Sequence, residues 1–277
     1  MAKTWFITGA GRGFGMEFAK NALERGDRVA ATARNTSALE PLVAAYGDAI
    51  LPLQLDVTDR DAVFAAVNKA AEHFGRLDVV VNNAGYGLFG AIEEITEQEL
   101  RDQMEVNLFG VLHVVHAVLP ILRAQGSGHI IQISTIGGLV AFPNLGGYHA
   151  SKWALEGLSE SLAQEVAGQG IKVTLVEPGG FNTDWSGNSA VHATRKPEYD
   201  GLRKASAEAS AANPDSPMRK LGDPVAAGKA ILKIVDAENP PLRAFFGIAP
   251  TMVVPAMYAQ RLATWEEWKP VALEANG

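Results

Sequence analysis

Tyr148 and Lys152 stand four positions apart, so on a helix they lie one turn from each other on the same face. A free phenol has a pKa of about 10, too high for a good base at neutral pH, and an ammonium group one turn away favours the phenolate. The pair is a weak signal alone and gains weight from its company. Asn82-Asn83-Ala84-Gly85 precedes it, Asn107 falls mid-helix, and the adjacent hydroxyls Ser134 and Thr135 lie fourteen and thirteen residues before Tyr148. Pro178-Gly179 follows.

A second chemical cluster opens the chain. Thr8-Gly9-Ala10-Gly11-Arg12-Gly13-Phe14-Gly15 follows a short apolar run and leads into a helical one. Glycines there let the backbone turn sharply and approach a pyrophosphate seated on a helix N-terminus. The G-x-G-x-x-G fingerprint fails, because Phe14 occupies its sixth position; what stands is T-G-x-x-x-G-x-G. An acid that grips a ribose 2′-hydroxyl is expected about twenty residues on. That window reads Ala30-Ala31-Thr32-Ala33-Arg34 and holds no acid. A guanidinium fork suits a 2′-phosphate instead, with Arg12 as a second cation, so the reading is NADP(H) over NAD(H).

These residues need elements to position them. Residues 4–8, 28–33, 50–55, 78–81, 129–134 and 171–176 are short, β-rich and apolar on both faces, as buried strands are. Residues 242–246 can add a last one. Helical patterns fill 15–25, 37–46, 59–74, 97–123 and 148–167, with Asp59 and Thr96 as N-caps and Gly26, Gly75 and Gly168 or Gly170 as stops. The alternation predicts an α/β, doubly wound Rossmann-type parallel sheet of about seven strands, order 3-2-1-4-5-6-7, in one domain over 1–277. From 179 to 223 the pattern dissolves, as in a substrate-binding loop or lid. Residues 250–277 read as a C-terminal helical extension, with Tyr258, Trp265 and Trp268 placed for core or subunit packing.

Composition narrows the classes. The chain has 277 residues, 47% apolar and 20% charged, enough apolar content for a sizeable core. It has no cysteine, which removes disulfides and thiolate chemistry. A net charge of −7 argues against a nucleic-acid partner. No secretory signal fits the N-terminus, and the longest apolar run, 111–122, holds His113, His116 and Pro120 and is too short to span a bilayer. A cytoplasmic protein with no membrane partner is expected. His113 and His116 read as helix packing, His129 and His149 as structural, and no metal is predicted.

Taken together, T8-G9-x-x-x-G13-x-G15, Asp56-Val57, N82-N83-A84-G85, Asn107, the strand-five hydroxyl, Y148-x-x-x-K152 and P178-G179 with Thr183 resemble the short-chain dehydrogenase/reductase family. The resemblance runs from residue 4 to about 184. It implies a hydride-transfer oxidoreductase with Tyr148 as general acid or base, Lys152 supporting it and binding the nicotinamide ribose, and Asn107 holding a relay water. It also implies that Gly9, Gly11, Arg12, Gly13, Phe14, Gly15 and Arg34 hold the phosphates. Asp56 and Val57 would flank the adenine, with Asn83, Ala84 and Gly85 beside the dinucleotide. Pro178, Gly179, Phe181 and Thr183 would wall the nicotinamide. The family's carbonyl-binding serine falls on Thr135, which keeps the hydroxyl, with Ser134 as the fallback. Tyr86, Leu88, Phe89, Val140, Phe142 and Trp185 would line an apolar pocket for a small-molecule carbonyl or alcohol. Relatives commonly form homo-dimers or homo-tetramers through 97–123 and 148–167. A non-catalytic NADP-binding regulator and an isomerase or dehydratase using transient hydride transfer remain as alternatives.

Overall fold

The computed structural model describes residues 2–187 and 189–276. Residue 188 of the expected loop, and residues 1 and 277 at the chain ends, lie outside the described residues. Seven strands form one parallel sheet: β1 (Thr4–Ile7), β2 (Arg28–Ala33), β3 (Ile50–Gln54), β4 (Val79–Asn82), β6 (Gly128–Ile133), β7 (Ile171–Pro178) and β9 (Arg243–Phe246). Their order, β3-β2-β1-β4-β6-β7-β9, is 3-2-1-4-5-6-7 counted along the sheet strands alone. β1 and β4 are buried along their whole length, as continuous apolar runs in a doubly covered sheet require.

Helices cover both faces. α1 (Gly13–Glu24), α2 (Glu40–Tyr46) and α8 (Pro224–Asp236) pack Phe18, Leu42 and Ile231 against one side. α3 (Arg60–Phe74), α5 (Gly110–Gln125) and α6 (Gly146–Val166) pack Val67, Val114 and Leu155 against the other. Asp59 caps α3 by accepting from the Ala62 amide at 3.0 Å, and Thr96 forms a capping box with Glu99 ahead of α4 (Glu97–Met104). Of the two candidate stops after α6, Gly170 takes the left-handed backbone, at φ +71°.

Three expectations need correction. Residues 179–223 are not a loop throughout: they contain β8 (Val191–His192), paired with β5 (Leu88–Phe89) in a small separate sheet, and α7 (Asp200–Ala212). No residue of α7 is buried, so it carries no apolar stripe for a periodicity reading to detect. The C-terminal extension is helical, through α9 (Ile248–Glu267) and α10 (Lys269–Glu274), and of the two expected roles for its aromatics, core or subunit packing, the chain's own core does not take up Trp265 and Trp268. Trp265 and Trp268 are 64% and 61% exposed. Lastly, the apolar run 111–122 belongs to a continuous 29-residue helix, 97–125, long and apolar enough by composition to cross a membrane. Its apolar face, with Val111, Val118 and Leu122, packs into the core.

Candidate active site

All the predicted chemistry gathers at the C-terminal ends of the sheet strands, where parallel α/β sheets place their clefts. The turn after β1 is built around Gly9 and Gly15. Gly9 has φ +65°, and a Cβ on it would stand 2.9 Å from the Ala84 Cα. A Cβ on Gly15 would stand 2.4 Å from the Gly9 carbonyl oxygen. Asn83 ties this turn to β4: its Nδ2 donates to the carbonyls of Thr8 and Gly9, both at 3.0 Å. Thr8 completes the tie, its Oγ1 accepting from the amides of Asn83 and Ala84 at 3.0 and 3.1 Å. In the sequence Thr8 is only the first residue of the glycine motif; its clamp role is visible only once β1 and β4 are neighbours.

α1 starts at Gly13 with no side chain capping its first amides. Those N–H groups point into the turn and suit an anion. The tip of the turn lies beside the end of β2, where a Cβ on Gly11 would be 3.3 Å from the Ala33 Cβ and 3.8 Å from the Asn35 carbonyl oxygen. Exposed Arg34 sits between those two residues. Arg12 is engaged with Asp184, Nη1 to Oδ2 at 3.2 Å, an acid the sequence reading did not single out.

Across the cleft, Thr183 approaches Gly13, its methyl 3.9 Å from a Cβ built there. Phe181 packs edge-on against Phe14, ring centroids 4.8 Å apart. Pro178 ends β7, and the Gly179 amide donates to Phe246 at 2.9 Å. Beyond β3, Asp56 Oδ1 accepts from the Thr58 amide and hydroxyl at 3.0 and 2.8 Å, and Val57 is buried beside it.

The reactive group of side chains projects from α6 and the end of β6. Tyr148 is 5% exposed; burial raises its pKa, and the neighbouring Thr135 side chain opposes the rise. Thr135 Oγ1 also donates to the Pro178 carbonyl at 3.4 Å and accepts from the Gly137 amide at 3.2 Å. Ser134, next to it, turns the opposite way and donates to Glu156. The structure therefore brings Thr135, not Ser134, to Tyr148, as alternation at a strand end requires. Lys152 Nζ donates to the Ile133 carbonyl at 2.8 Å. Burial lowers its pKa to about 8, against the pull of Glu156, which raises it.

Asn107 is fully buried in a short π-helical stretch, Glu105–Phe109, that joins α4 to α5. The wider turn aims its side chain at the site, a common use of π-bulges. Its Oδ1 accepts from the Tyr86 amide at 3.2 Å, and its Nδ2 donates to the Tyr86 carbonyl and the Ser151 hydroxyl, both at 3.1 Å. A Cβ on Gly85 would lie 3.0 Å from Asn107 Oδ1 and 3.7 Å from Lys152 Nζ, so all three residues adjoin.

The expected pocket lining divides. Trp185 lies against Tyr148 at 4.9 Å between ring centroids and against Phe89 at 5.3 Å. His192, which the sequence reading missed, stacks on Phe89 at 5.0 Å. Leu88 and Val140 are fully buried and line nothing open; Val140 packs with Ala249 and Val254 beneath α9, with Phe142 against the same cluster.

The segment that follows β8 is held by a carboxylate latch. Glu94, 1% exposed in its side chain, accepts from the Lys196 amide at 2.7 Å, the Ala91 amide at 2.8 Å and Arg203 Nη1 at 2.8 Å. The Lys196 amide chiefly, then Ala91 and Arg203, lower its pKa from the ordinary 4.5 to about 2, against the opposing effect of burial. A depressed carboxylate stabilises above its unfolded pKa and loses that contribution as pH falls through the folded one. The latch is thus complete at pH 7 and weakens from about 4.5 down to about 2. Glu94→Gln should reproduce the acid effect at pH 7: amide hydrogen exchange across residues 196–212 should rise at least tenfold while β1 and β4 stay protected. Unchanged exchange in that segment would remove the latch.

Residues 3–193 match the short chain dehydrogenase family. The chain belongs to that family. Oxidoreductase BOA17 of Botryotinia fuckeliana (strain B05.10) is 44% identical over 99% of both chains. A short-chain dehydrogenase from Streptomyces avermitilis superposes with a TM-score of 0.90 at 40% identity, covering 99% of this chain and 98% of that one. More distant structures of this fold hold nicotinamide dinucleotides. A 3-ketoacyl-(acyl-carrier-protein) reductase from Brucella melitensis was solved with NADH (25% identity, TM-score 0.76, 90% and 98% covered). ElxO was solved with NADP (29%, 0.73, 90% and 97%). This short-chain dehydrogenase is therefore an oxidoreductase, built on a fold that accepts either dinucleotide.

Proposed function

We propose that this short-chain dehydrogenase reduces a largely apolar carbonyl compound with NADPH, using Tyr148 as the general acid. The observation that carries the reading is the gathering of Tyr148, Thr135 and Lys152 at the end of β6, under Trp185 and next to the glycine turn. The residues fit a dinucleotide: uncapped amides at the start of α1, a turn too tight for side chains, and a cleft narrowed by Thr183 and Phe181. Bound there, the dinucleotide supplies or accepts a hydride at its nicotinamide. Asp56 would accept from the adenine amino group, with Val57 beside the ring. Asn83, Ala84, Gly85, Pro178 and Gly179 bound the cleft between.

In reduction, Thr135 Oγ1 and the Tyr148 hydroxyl hold the substrate oxygen, and Tyr148 gives its proton to it. The Lys152 ammonium then favours the phenolate left behind, and Asn107 orders a water for its reprotonation. Orientation of the reacting carbons supplies much of the rate advantage. Trp185, Phe89 and His192 favour an apolar or aromatic substrate flank. A cytoplasmic setting with its NADPH supply fits the reductive direction, and a homo-dimer or homo-tetramer is the proposed assembly, to be read by light scattering.

The cofactor preference rests on Arg34, with Arg12 behind it. A charged hydrogen-bonded partner contributes about 1.5–3 kcal/mol, which corresponds to roughly 10–100-fold in affinity. Arg34→Asp should therefore weaken NADPH by about that factor and leave NADH within about threefold, both read by fluorescence titration at low ionic strength. Wild-type protein that binds NADH as tightly as NADPH would make Arg34 and Arg12 surface charges and end the reductive argument.

A further inference from the structure

Behind the Tyr148–Lys152 pair lies a cluster of charged groups that the proposed reaction does not use. Glu156 follows Lys152 by one turn on α6 and is buried. One of its oxygens accepts from the Ser134 hydroxyl, the other from Arg243 Nη1. The same Nη1 donates to Glu177 Oε1 at 2.9 Å, and Arg243 Nη2 to Glu160 Oε2 at 2.7 Å. Glu177, in β7, has a fully buried side chain, and its Oε2 finds no donor among the described residues. The Glu156 and Glu177 carboxyls thus meet at one nitrogen, Arg243 Nη1.

Two buried carboxylates side by side repel, and an acceptor oxygen left without a donor is costly. One proton between them resolves both problems, because a protonated Glu177 donates to Glu156. The charges then balance: Lys152 and Arg243 against Glu156 and half-exposed Glu160. We propose that Glu156 and Glu177 share one proton and thereby keep a single negative charge one turn beyond Lys152, which makes Glu156 a positioning residue for the Tyr148–Lys152 pair. Its catalytic meaning rests on the proposed function; the proton sharing does not.

Other observations agree. Glu156, one helical turn from Lys152, opposes the burial that lowers the Lys152 pKa. Burial, then the Glu156 charge, raise Glu177 to about 7, while Arg243 opposes them. A cavity of about 420 Å³, with Trp153, Tyr258 and Arg261 in its wall, reaches Glu156, Glu160 and Arg243 and gives the pair an exchange route to solvent. The charged and titratable groups facing Glu156 are thus Lys152 and Glu160 on its own helix, Glu177 on β7, Arg243 on β9, and Tyr258 and Arg261 on α9.

The test needs neither substrate nor cofactor. In full-length protein labelled at lysine side chains, the Lys152 resonance is assigned by its loss in Lys152→Met and titrated by NMR. Glu156→Gln should lower its midpoint by about one pH unit or more, the effect of an opposite charge at close range. Glu177→Gln, which imitates the protonated acid, should move it far less. An unchanged midpoint in Glu156→Gln, or an equal drop in both variants, overturns the proposal. Should Glu156→Gln fail to fold, infrared spectroscopy of wild-type protein decides. A protonated-carboxyl band should be present at pH 6, fade as pH rises through about 7, and be absent from Glu177→Gln. A spectrum without that band, or one unaffected by Glu177→Gln, overturns it equally. Failure to turn over any carbonyl would touch the proposed function and leave these titrations standing.

Discussion

Tyr148→Phe should lower kcat about 10²–10⁴-fold, the usual contribution of a positioned proton donor, with little change in dinucleotide affinity. The ring stays, so its packing against Trp185 and the α6 backbone are retained; only the hydroxyl that meets Thr135 is lost. Removing a buried polar atom whose partner has other bonds is a mild change, since Thr135 still donates to Pro178 and accepts from Gly137. Stability should therefore stay within about 1 kcal/mol of wild type. The measurement is kcat by NADPH absorbance on a carbonyl panel, beside urea unfolding. Activity within tenfold of wild type would deny Tyr148 the proton-transfer role. A biological effect that survives the substitution would favour a dinucleotide-binding regulator, and turnover without net absorbance change would favour an isomerase or dehydratase.

Gly15→Ala should damage both stability and cofactor binding. The added Cβ would be 2.4 Å from the Gly9 carbonyl oxygen, 2.6 Å from Asn83 Nδ2 and 2.9 Å from the Ala10 Cα. Two of those atoms are backbone, and Asn83 is held by two hydrogen bonds to the same turn, so no flexible end can yield. Overpacking of this kind costs about 1–3 kcal/mol, visible as a lower urea midpoint with unchanged slope. The same displacement pushes the turn away from the α1 amides, so NADPH affinity should fall at least tenfold. Gly26→Ala is the contrast: φ is +88° there, but a Cβ meets nothing within 4 Å, so stability alone should drop. Equal NADPH binding by Gly15→Ala and wild type would remove the turn from the cofactor site.

Local signals carried far in this chain. Strands buried on both faces are apolar throughout, and the starts of α3 and α4 carry their own caps, so alternation and sheet order were legible before any contact was known. The elements that escaped lack such a signal. α7 buries no side chain, and β5 and β8 are two residues each, held by pairing across about a hundred positions of chain. The sequence favoured Thr135 over Ser134 only by its distance from Tyr148, because which of two adjacent strand residues meets a given face is set by the strand itself.

By itself the sequence determined the family and the sheet order, and it named the candidate site residues, because each depends on residue type at short spacing. Tertiary structure alone decided which hydroxyl faces Tyr148, what holds Arg12, and that Trp185 lies over the tyrosine ring. It also brought Glu177 and Arg243 from β7 and β9 to Glu156 on α6. Those outcomes depend on pairs 13 to 172 residues apart, and chain spacing says nothing of direction across such distances.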